Sequence, residues 1–225
     1  MKNLNMLTNT LFAISCTLIL SSKSFAEPMN IGQLKTELRT YQASGTYNQE
    51  LTQVINDAKT YIAKQVAANQ QANPKKKLAI VLDIDETSLS NYNQIAQSDF
   101  CNNNDQIDAQ LSKASDPVIQ PTLELYQDAI KQGVYVFFVT GRYDSLTAET
   151  IKNLKAAGFE GWTGLYFRPK TDTRNSVVPY KTQARTAIEQ AGYTIIASIG
   201  DQESDLAGGH AAQTFKVPNP YYYLP

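Results

Sequence analysis

A run of apolar residues that ends in a cluster of acids constrains this chain more than any other feature. Residues 78–82 read LAIVL, and Asp83, Asp85 and Glu86 follow within four positions. A short run of this kind is typical of a strand that is buried on both faces of a parallel sheet. Three carboxylates so close together repel one another unless a cation or a proton lies between them. The sequence therefore predicts a buried strand that ends in a charged site.

Strands and helices alternate along the rest of the chain. We predict strands at residues 78–83, 134–139, 165–167 and 194–199, a last regular segment at 214–217, and helices between them at 121–132, 145–157 and 180–191. Short runs rich in Val, Ile and Phe that alternate with capped helices indicate an α/β fold, a Rossmann-like parallel sheet with helices on both faces. Ligands of such sheets bind at the carboxyl ends of the strands.

The first 26 residues have the features of a signal peptide. Lys2 precedes an apolar run at about residues 7–20, which is too short for a membrane span, and Ser24 and Ala26 are the small residues that a signal peptidase reads. We therefore predict cleavage after Ala26, with no stable membrane anchor, and export to the periplasm or secretion.

The charge and cysteine content of residues 27–225 bear on whether this part of the chain binds nucleic acid or forms disulfides. Residues 1–26 contain two lysines and no acid, so residues 27–225 keep 18 basic and 21 acidic side chains, a net charge of −3. This charge balance lacks the excess of basic side chains that is typical of proteins that bind nucleic acids. Only Cys101 remains after cleavage, so no internal disulfide is expected, and Cys101 is most simply a small apolar residue.

Residues 27–225 have a length that suits a single domain, and two parts of it fall outside the alternating pattern. Residues 27–74 are predicted to form two extra N-terminal helices, the first with Asn30 as N-cap. Residues 88–120 form an insertion after the first strand. About thirty residues are too few for a large cap domain but enough for a loop or a small helical cover.

Polar side chains also follow two further strands. Thr140, Gly141 and Arg142 come after the second strand, and residues 200–205 (GDQESD) come after the fourth. Taken singly, an Asp after a strand is more often a turn or cap residue, and a Lys at a helix start is usually solvated. Together these groups converge on one edge of the sheet, where a divalent cation with oxygen ligands would balance the acids.

The order and spacing of these motifs resemble those of the haloacid dehalogenase-like (HAD) hydrolases. Members carry D-x-D-x-T after the first strand, Thr or Ser after the second, a Lys further on and G-D-x-x-x-D after the fourth; here these are residues 83–87, Thr140, Lys181 and residues 200–205. The sequence is still more similar to the exported acid phosphatases of subfamily IIIB, which include plant vegetative storage proteins. DIDETSLSN, TGR with TIKNLKAAGF, GDQESDLAG and FKVPNPYYYLP carry that similarity.

The resemblance implies catalytic and metal-binding roles. Asp83 is expected to be the nucleophile that forms an aspartyl-phosphate, and Asp85 the general acid and base. Mg²⁺ is expected to be held by Asp83, the backbone carbonyl of Asp85 and Asp201, with Asp205 supporting it directly or through water. Glu86 could reach this shell or be a solvated turn residue.

Substrate contacts follow from the same resemblance. Thr140 and the amide of Gly141 are expected to bind the phosphoryl oxygens, and Lys181 to offset the charge of nucleophile and phosphate. Arg142 could contact substrate or structure. His210 is expected to be structural or solvent-facing, because it lacks the motif of the histidine acid phosphatases, and the Tyr221-Tyr222-Tyr223 run is more often packing than a substrate contact.

The resulting function is an exported, Mg²⁺-dependent acid phosphatase that hydrolyses small phosphomonoesters. Two alternatives stay open from the sequence: a non-catalytic storage or binding protein on the same fold, and a phosphotransferase that passes the phosphoryl group to an alcohol. The second shares the covalent intermediate, so the motifs do not separate it from a hydrolase. The natural substrate and the oligomeric state are not predicted.

Overall fold

Five parallel strands form the central sheet of the computed structural model, which describes residues 27–101 and 104–225. Their order across the sheet is β3-β2-β1-β4-β5, so β1 lies at the centre. Their bounds are β1 Lys77–Leu82, β2 Tyr135–Tyr143, β3 Gly164–Arg168, β4 Tyr193–Gly200 and β5 Gln213–Lys216. The prediction of an α/β fold with a parallel sheet is confirmed. The predicted signal peptide lies outside the described residues.

The described part of the chain contains eight α-helices. They are α1 Ile31–Ala43, α2 Thr46–Gln70, α3 Tyr92–Gln97, α4 Asn104–Leu111, α5 Gln120–Lys131, α6 Thr147–Ala156, α7 Val178–Gln190 and α8 Glu203–Leu206. Of these, α1, α2, α5, α6 and α7 match predicted helices with small shifts at their ends, α3 and α4 lie in the insertion, and α8 was not predicted. Asn30 caps α1 as predicted, because its side chain accepts hydrogen bonds from the amides of Gly32 and Gln33. A 3₁₀ turn, Asp144–Leu146, precedes α6, so that helix begins later than expected.

Both faces of the sheet are covered by helices, which explains the unbroken apolar run of β1. Leu78, Ile80 and Leu82 belong to a core that includes side chains of α1, α2 and α5. Ala79 and Val81 point the other way, into a second core that includes side chains of α7. Because successive residues of a strand face opposite sides, every residue of a strand that is covered on both sides faces a core, and its side chains are therefore apolar.

The insertion after β1 is small: the described part of residues 88–119 contains only the helices α3 and α4, and α5 begins at Gln120. Leu89 pairs with Val118 in an isolated bridge, which ties the start of the insertion to its end. The carboxyl edge of the sheet is therefore bordered by a short helical cover. Within the described ranges, no helix combines the length and apolar character that crossing a bilayer requires.

Candidate active site

The carboxyl ends of β1 and β4 and the first turn of α7 bring four of the predicted site residues together. The Lys181 Nζ atom lies 2.6 Å from Oδ1 of Asp83 and also bonds to Oδ1 of Asp205. These three side chains are buried. Asp201 follows β4 and completes the group. The lysine thus joins motifs that are remote in the sequence.

Asp83, Asp201 and Asp205 form a buried cluster that suits a metal ion. One carboxylate oxygen from each can be chosen so that all three lie within 4.8 Å of one another. Burial, and then the charge of Asp205, raises the pKa of Asp83 well above its usual value, and the same causes raise the pKa of Asp201 to about 7. Three acids against one lysine leave a surplus of negative charge, and carboxylate oxygens are the ligands that Mg²⁺ prefers. The residues present fit a divalent cation.

Gly200 explains why the fourth motif begins with glycine. A Cβ atom at this position would collide with the side chain of Asp205. Since Oδ2 of Asp205 also accepts the backbone N–H of Gln202 at 2.8 Å as part of a capping box on α8, Asp205 cannot move away without losing that bond. The glycine lets the end of β4 approach the acidic loop closely.

Asp85 lies beside this cluster but is held by a different partner. The Arg142 guanidinium contacts both of its carboxylate oxygens, with Nη2 2.7 Å from Oδ1. Burial alone would raise the pKa of Asp85, but the charge and hydrogen bonds of Arg142 outweigh it and hold this pKa below its usual value. Arg142 is itself buried, and its Nη2 lies 3.2 Å from Oδ2 of Asp116, which belongs to the insertion. Asn91 donates a further hydrogen bond to Asp85 at 2.8 Å.

Thr140 and Gly141 lie where β2 passes the end of β1. Leu82 pairs with Phe138, so the two residues lie beside the start of the acidic loop. Thr140 is buried, and its hydroxyl accepts the amide N–H of Arg142 at 3.1 Å. A Cβ atom placed on Gly141 would lie 3.6 Å from the side chain of Leu224 and 3.9 Å from that of Val177, which is ordinary van der Waals contact.

Glu86 is completely buried, which excludes the solvated turn that the sequence left open. Its Oε2 atom accepts hydrogen bonds from the Tyr222 hydroxyl at 2.8 Å and from Asn91 Nδ2 at 3.1 Å. The backbone has a φ of 51°, which is uncommon for a residue other than glycine. Burial, and then the charge of Asp85, raises the pKa of Glu86 to about 7.

Comparison with known proteins decides the family. A family model described as "HAD superfamily, subfamily IIIB (Acid phosphatase)" matches residues 6–225. The chain belongs to this family. Membership confirms the resemblance seen in the motifs and the prediction of a phosphoric monoester hydrolase.

Relatives of this acid phosphatase family include both an enzyme and a storage protein. Acid phosphatase 1 of Solanum lycopersicum is 31% identical over 191 residues, 83% of this chain and 73% of the relative. Vegetative storage protein 1 of Arabidopsis thaliana is 33% identical over 149 residues, 64% and 55% of the two chains. The fold is similar to that of the class C acid phosphatase from Bacillus anthracis, with a TM-score of 0.69, 22% identity and 86% of each chain covered.

Several contacts around the site were not predicted from the sequence. Asp116 and Asn91 contact the Asp85 region from the insertion, while Gln202 and Asn219 each donate an amide hydrogen bond to Asp201 at 2.7 Å. Asn and Gln are ordinary loop residues, so only the tertiary structure reveals these contacts. Two of these residues, Asn219 and Gln202, do lie in segments of this chain that carry the family resemblance, FKVPNPYYYLP and GDQESD.

The remaining candidates have packing contacts. His210 bonds to Glu189 at 2.6 Å and to Thr186 at 3.1 Å, which agrees with the structural role expected for it. The Tyr221 ring lies against three other aromatic rings, whereas Tyr223 is 76% exposed. Cys101 is exposed rather than part of the core.

The raised pKa of Glu86 predicts a pH-dependent stability in the absence of metal. An acid with a higher pKa in the folded state takes up a proton on folding, so the free energy of unfolding falls as the pH rises from about 4.5 to about 7. A displacement from 4.5 to about 7 corresponds to roughly 3 kcal/mol. Since 1 kcal/mol moves the Tm of a domain of this size by roughly 2–4 °C, we expect a drop of several degrees between pH 5 and pH 8 in EDTA.

The Glu86→Gln variant isolates this contribution, because its amide oxygen can still accept hydrogen bonds from Asn91 and Tyr222 but does not ionise. Thermal unfolding in EDTA should show a smaller drop in Tm between pH 5 and pH 8 for Glu86→Gln than for the parent. Equal drops in the two proteins would show that Glu86 does not titrate in this range.

Proposed function

We propose that this chain is an exported, Mg²⁺-dependent acid phosphatase that hydrolyses small phosphomonoesters through an aspartyl-phosphate on Asp83. The observation that carries the proposal is the buried cluster at the carboxyl edge of the sheet, in which Lys181 joins Asp83 and Asp205 beside Asp201. A phosphoryl group is an anion, so a site for it needs positive charge beside any carboxylate that attacks it.

Asp83, Asp201 and Asp205 would hold the cation, with the backbone carbonyl of Asp85 as a further oxygen ligand. Bound Mg²⁺ would supply positive charge that neutralises the phosphoryl oxygens and the acids. Lys181 adds a second cationic group, in contact with Asp83 and Asp205. Burial lowers the pKa of Lys181, but the carboxylates of Asp205 and Asp83 outweigh burial and raise it, so the ammonium stays charged.

In the first step a carboxylate oxygen of Asp83 attacks phosphorus in line with the ester oxygen. The new bond joins Asp83 to phosphorus, the bond from phosphorus to the ester oxygen breaks, and Asp85 gives that oxygen a proton. Water then attacks phosphorus, its proton passes to Asp85, and the bond from Asp83 to phosphorus breaks to release phosphate. Thr140 and the Gly141 amide would hold the phosphoryl oxygens throughout.

Asp85 needs a proton in the first step, and its contacts with Arg142 make that proton harder to hold. We therefore infer that substrate loosens the contact of Arg142 with Asp85 when it enters the site. The contacts of Arg142 with the partly exposed carboxylate of Asp85 and the buried carboxylate of Asp116 favour a role in positioning Asp85. A direct contact of Arg142 with substrate stays a prediction.

Export is part of this proposal. The signal-like residues 1–26 support it, as does the similarity to plant glycoproteins such as "Stem 28 kDa glycoprotein" of Glycine max. The cover formed by α3 and α4 is too small to be a large cap domain, which favours a broad range of small phosphomonoesters over one large partner.

Release of phosphate from aryl phosphates and nucleoside monophosphates, measured with Mg²⁺ and with EDTA, tests the function. We expect Mg²⁺-dependent release, and a loss of at least roughly 100-fold when EDTA removes several kcal/mol of charge stabilisation. No release in either condition would favour the storage protein, which the Arabidopsis relative makes the main alternative. The same assay with added glycerol or nucleoside tests the phosphotransferase, which would form the phosphorylated alcohol in place of free phosphate.

A further inference from the structure

Residues 217–225, which follow β5 and which we call the strap, pass beside the site and contact Asp201. It begins where the Val217 amide donates to the carbonyl oxygen of Gly200 at 3.0 Å, and it reaches α7, where the carbonyl oxygen of Pro225 accepts the Val177 amide at 3.0 Å. The strap therefore runs from the end of β4 to the start of α7, over the loops that hold the acids.

Within the strap, Asn219 contacts one oxygen of Asp201. Its Nδ2 donates to Oδ2 of Asp201 at 2.7 Å, and the Gln202 amide donates to the same oxygen at 2.7 Å. Among the described residues, Oδ1 of Asp201 accepts only the Thr87 hydroxyl, at 3.2 Å. Each carboxylate oxygen has two lone pairs, so two short bonds occupy Oδ2 and leave Oδ1 with acceptor capacity.

The orientation of the Asn219 amide is fixed by its own surroundings. Its Oδ1 accepts the backbone N–H of Tyr221 at 2.9 Å, which turns the NH₂ group toward Asp201. Tyr221 is in turn buried, with its hydroxyl 2.6 Å from Oε1 of Gln42 in α1. The Asn219 amide that donates to Asp201 thus belongs to a segment that also contacts the N-terminal helices.

We propose that Asn219 is a positioning residue that holds Asp201 with one oxygen free for the cation, so that the strap sets the affinity of the site for Mg²⁺. The inference rests on the proposed function, because it needs Asp201 as a metal ligand. Groups that orient a metal ligand typically change metal affinity by roughly 10–100-fold when they are removed.

Calorimetric titration of Mg²⁺ into the metal-free protein tests this without using activity. The Asn219→Ser variant loses the reach to Asp201, while its hydroxyl can still accept the Tyr221 amide and keep the local turn. We expect its Kd for Mg²⁺ to rise roughly 10–100-fold. Tyr221→Phe is the matched control: it removes a strap hydrogen bond but leaves Asn219 on Asp201, and its Kd should stay within about twofold of the parent.

The outcomes separate the two proposals. An Asn219→Ser protein that binds Mg²⁺ as tightly as the parent would overturn this inference alone, and a Tyr221→Phe protein with an equal loss would show that the effect is only structural. A parent that binds no Mg²⁺ would overturn the proposed function and this inference with it. Asn219→Ala, for which we expect the same loss, provides a second variant if the serine protein does not fold.

Discussion

The Asp83→Asn variant should lose phosphatase activity by at least roughly 10⁴-fold while it keeps the fold. An amide nitrogen and a neutral amide oxygen cannot act as the nucleophile that attacks phosphorus. The side chain keeps its shape, and its oxygen can still accept the hydrogen bond that Lys181 donates to Asp83. Phosphate release from an aryl phosphate at saturating Mg²⁺ provides the measurement.

Asp57→Asn is the matched control, because Asp57 is an exposed acid of α2 and receives a hydrogen bond only from the neighbouring Gln53 among the contacts described. We expect its activity to equal that of the parent. If Asp83→Asn kept a tenth of the parent activity, Asp83 could not be the nucleophile, and the reaction would need another acceptor for the phosphoryl group.

Lys181→Met should lower both activity and stability. The change removes the only lysine that bonds to Asp83 and Asp205 in the described residues, and it leaves two buried carboxylates without that partner. Breaking a buried ion pair by removing one partner typically costs roughly 3–5 kcal/mol. Loss of an electrostatic stabiliser of the transition state should lower the rate by roughly 10²–10³-fold. Urea unfolding in EDTA at pH 8 and phosphate release with Mg²⁺ measure the two effects.

The same substitution at an exposed lysine provides the control. Lys131 is 74% exposed and lies 3.9 Å from Asp128, so Lys131→Met should change the free energy of unfolding by less than roughly 0.5 kcal/mol. Comparable losses in the two variants would mean that a methionine at either position disturbs the fold. A stable, fully active Lys181→Met protein would contradict the role of Lys181 in the site.

The sheet and its charged edge could be predicted because both depend on local patterns. An apolar run buried on two faces has no polar positions, so β1 is recognisable without its partners, and the acids after it mark the carboxyl end. β2 was harder to delimit, since it continues through Thr140, Gly141 and Arg142 to Tyr143, which pairs with Arg168. The pairing with β3 shifts register between Val139 and Tyr143, and no apolar pattern signals that the strand continues across this irregularity.

The partners of the site residues could not be predicted for a different reason. Asp116 meets Arg142 across 26 positions and Asn219 meets Asp201 across 18, and neither spacing belongs to a local motif. The burial of Glu86 likewise depends on Tyr222, which is 136 positions away. Such contacts become visible only when the chain is folded, and they decide which carboxylates are charged and where they point.

Trapping the phosphorylated protein tests the central claim most directly. The parent is mixed with an aryl phosphate and Mg²⁺, quenched in acid within the first turnover, digested and examined by mass spectrometry, with Asp83→Asn as the control. We expect one phosphoryl group on Asp83 in the parent and none in the variant. A phosphoryl group on another residue, or no phosphorylated peptide while phosphate is being released, would contradict an aspartyl-phosphate at Asp83.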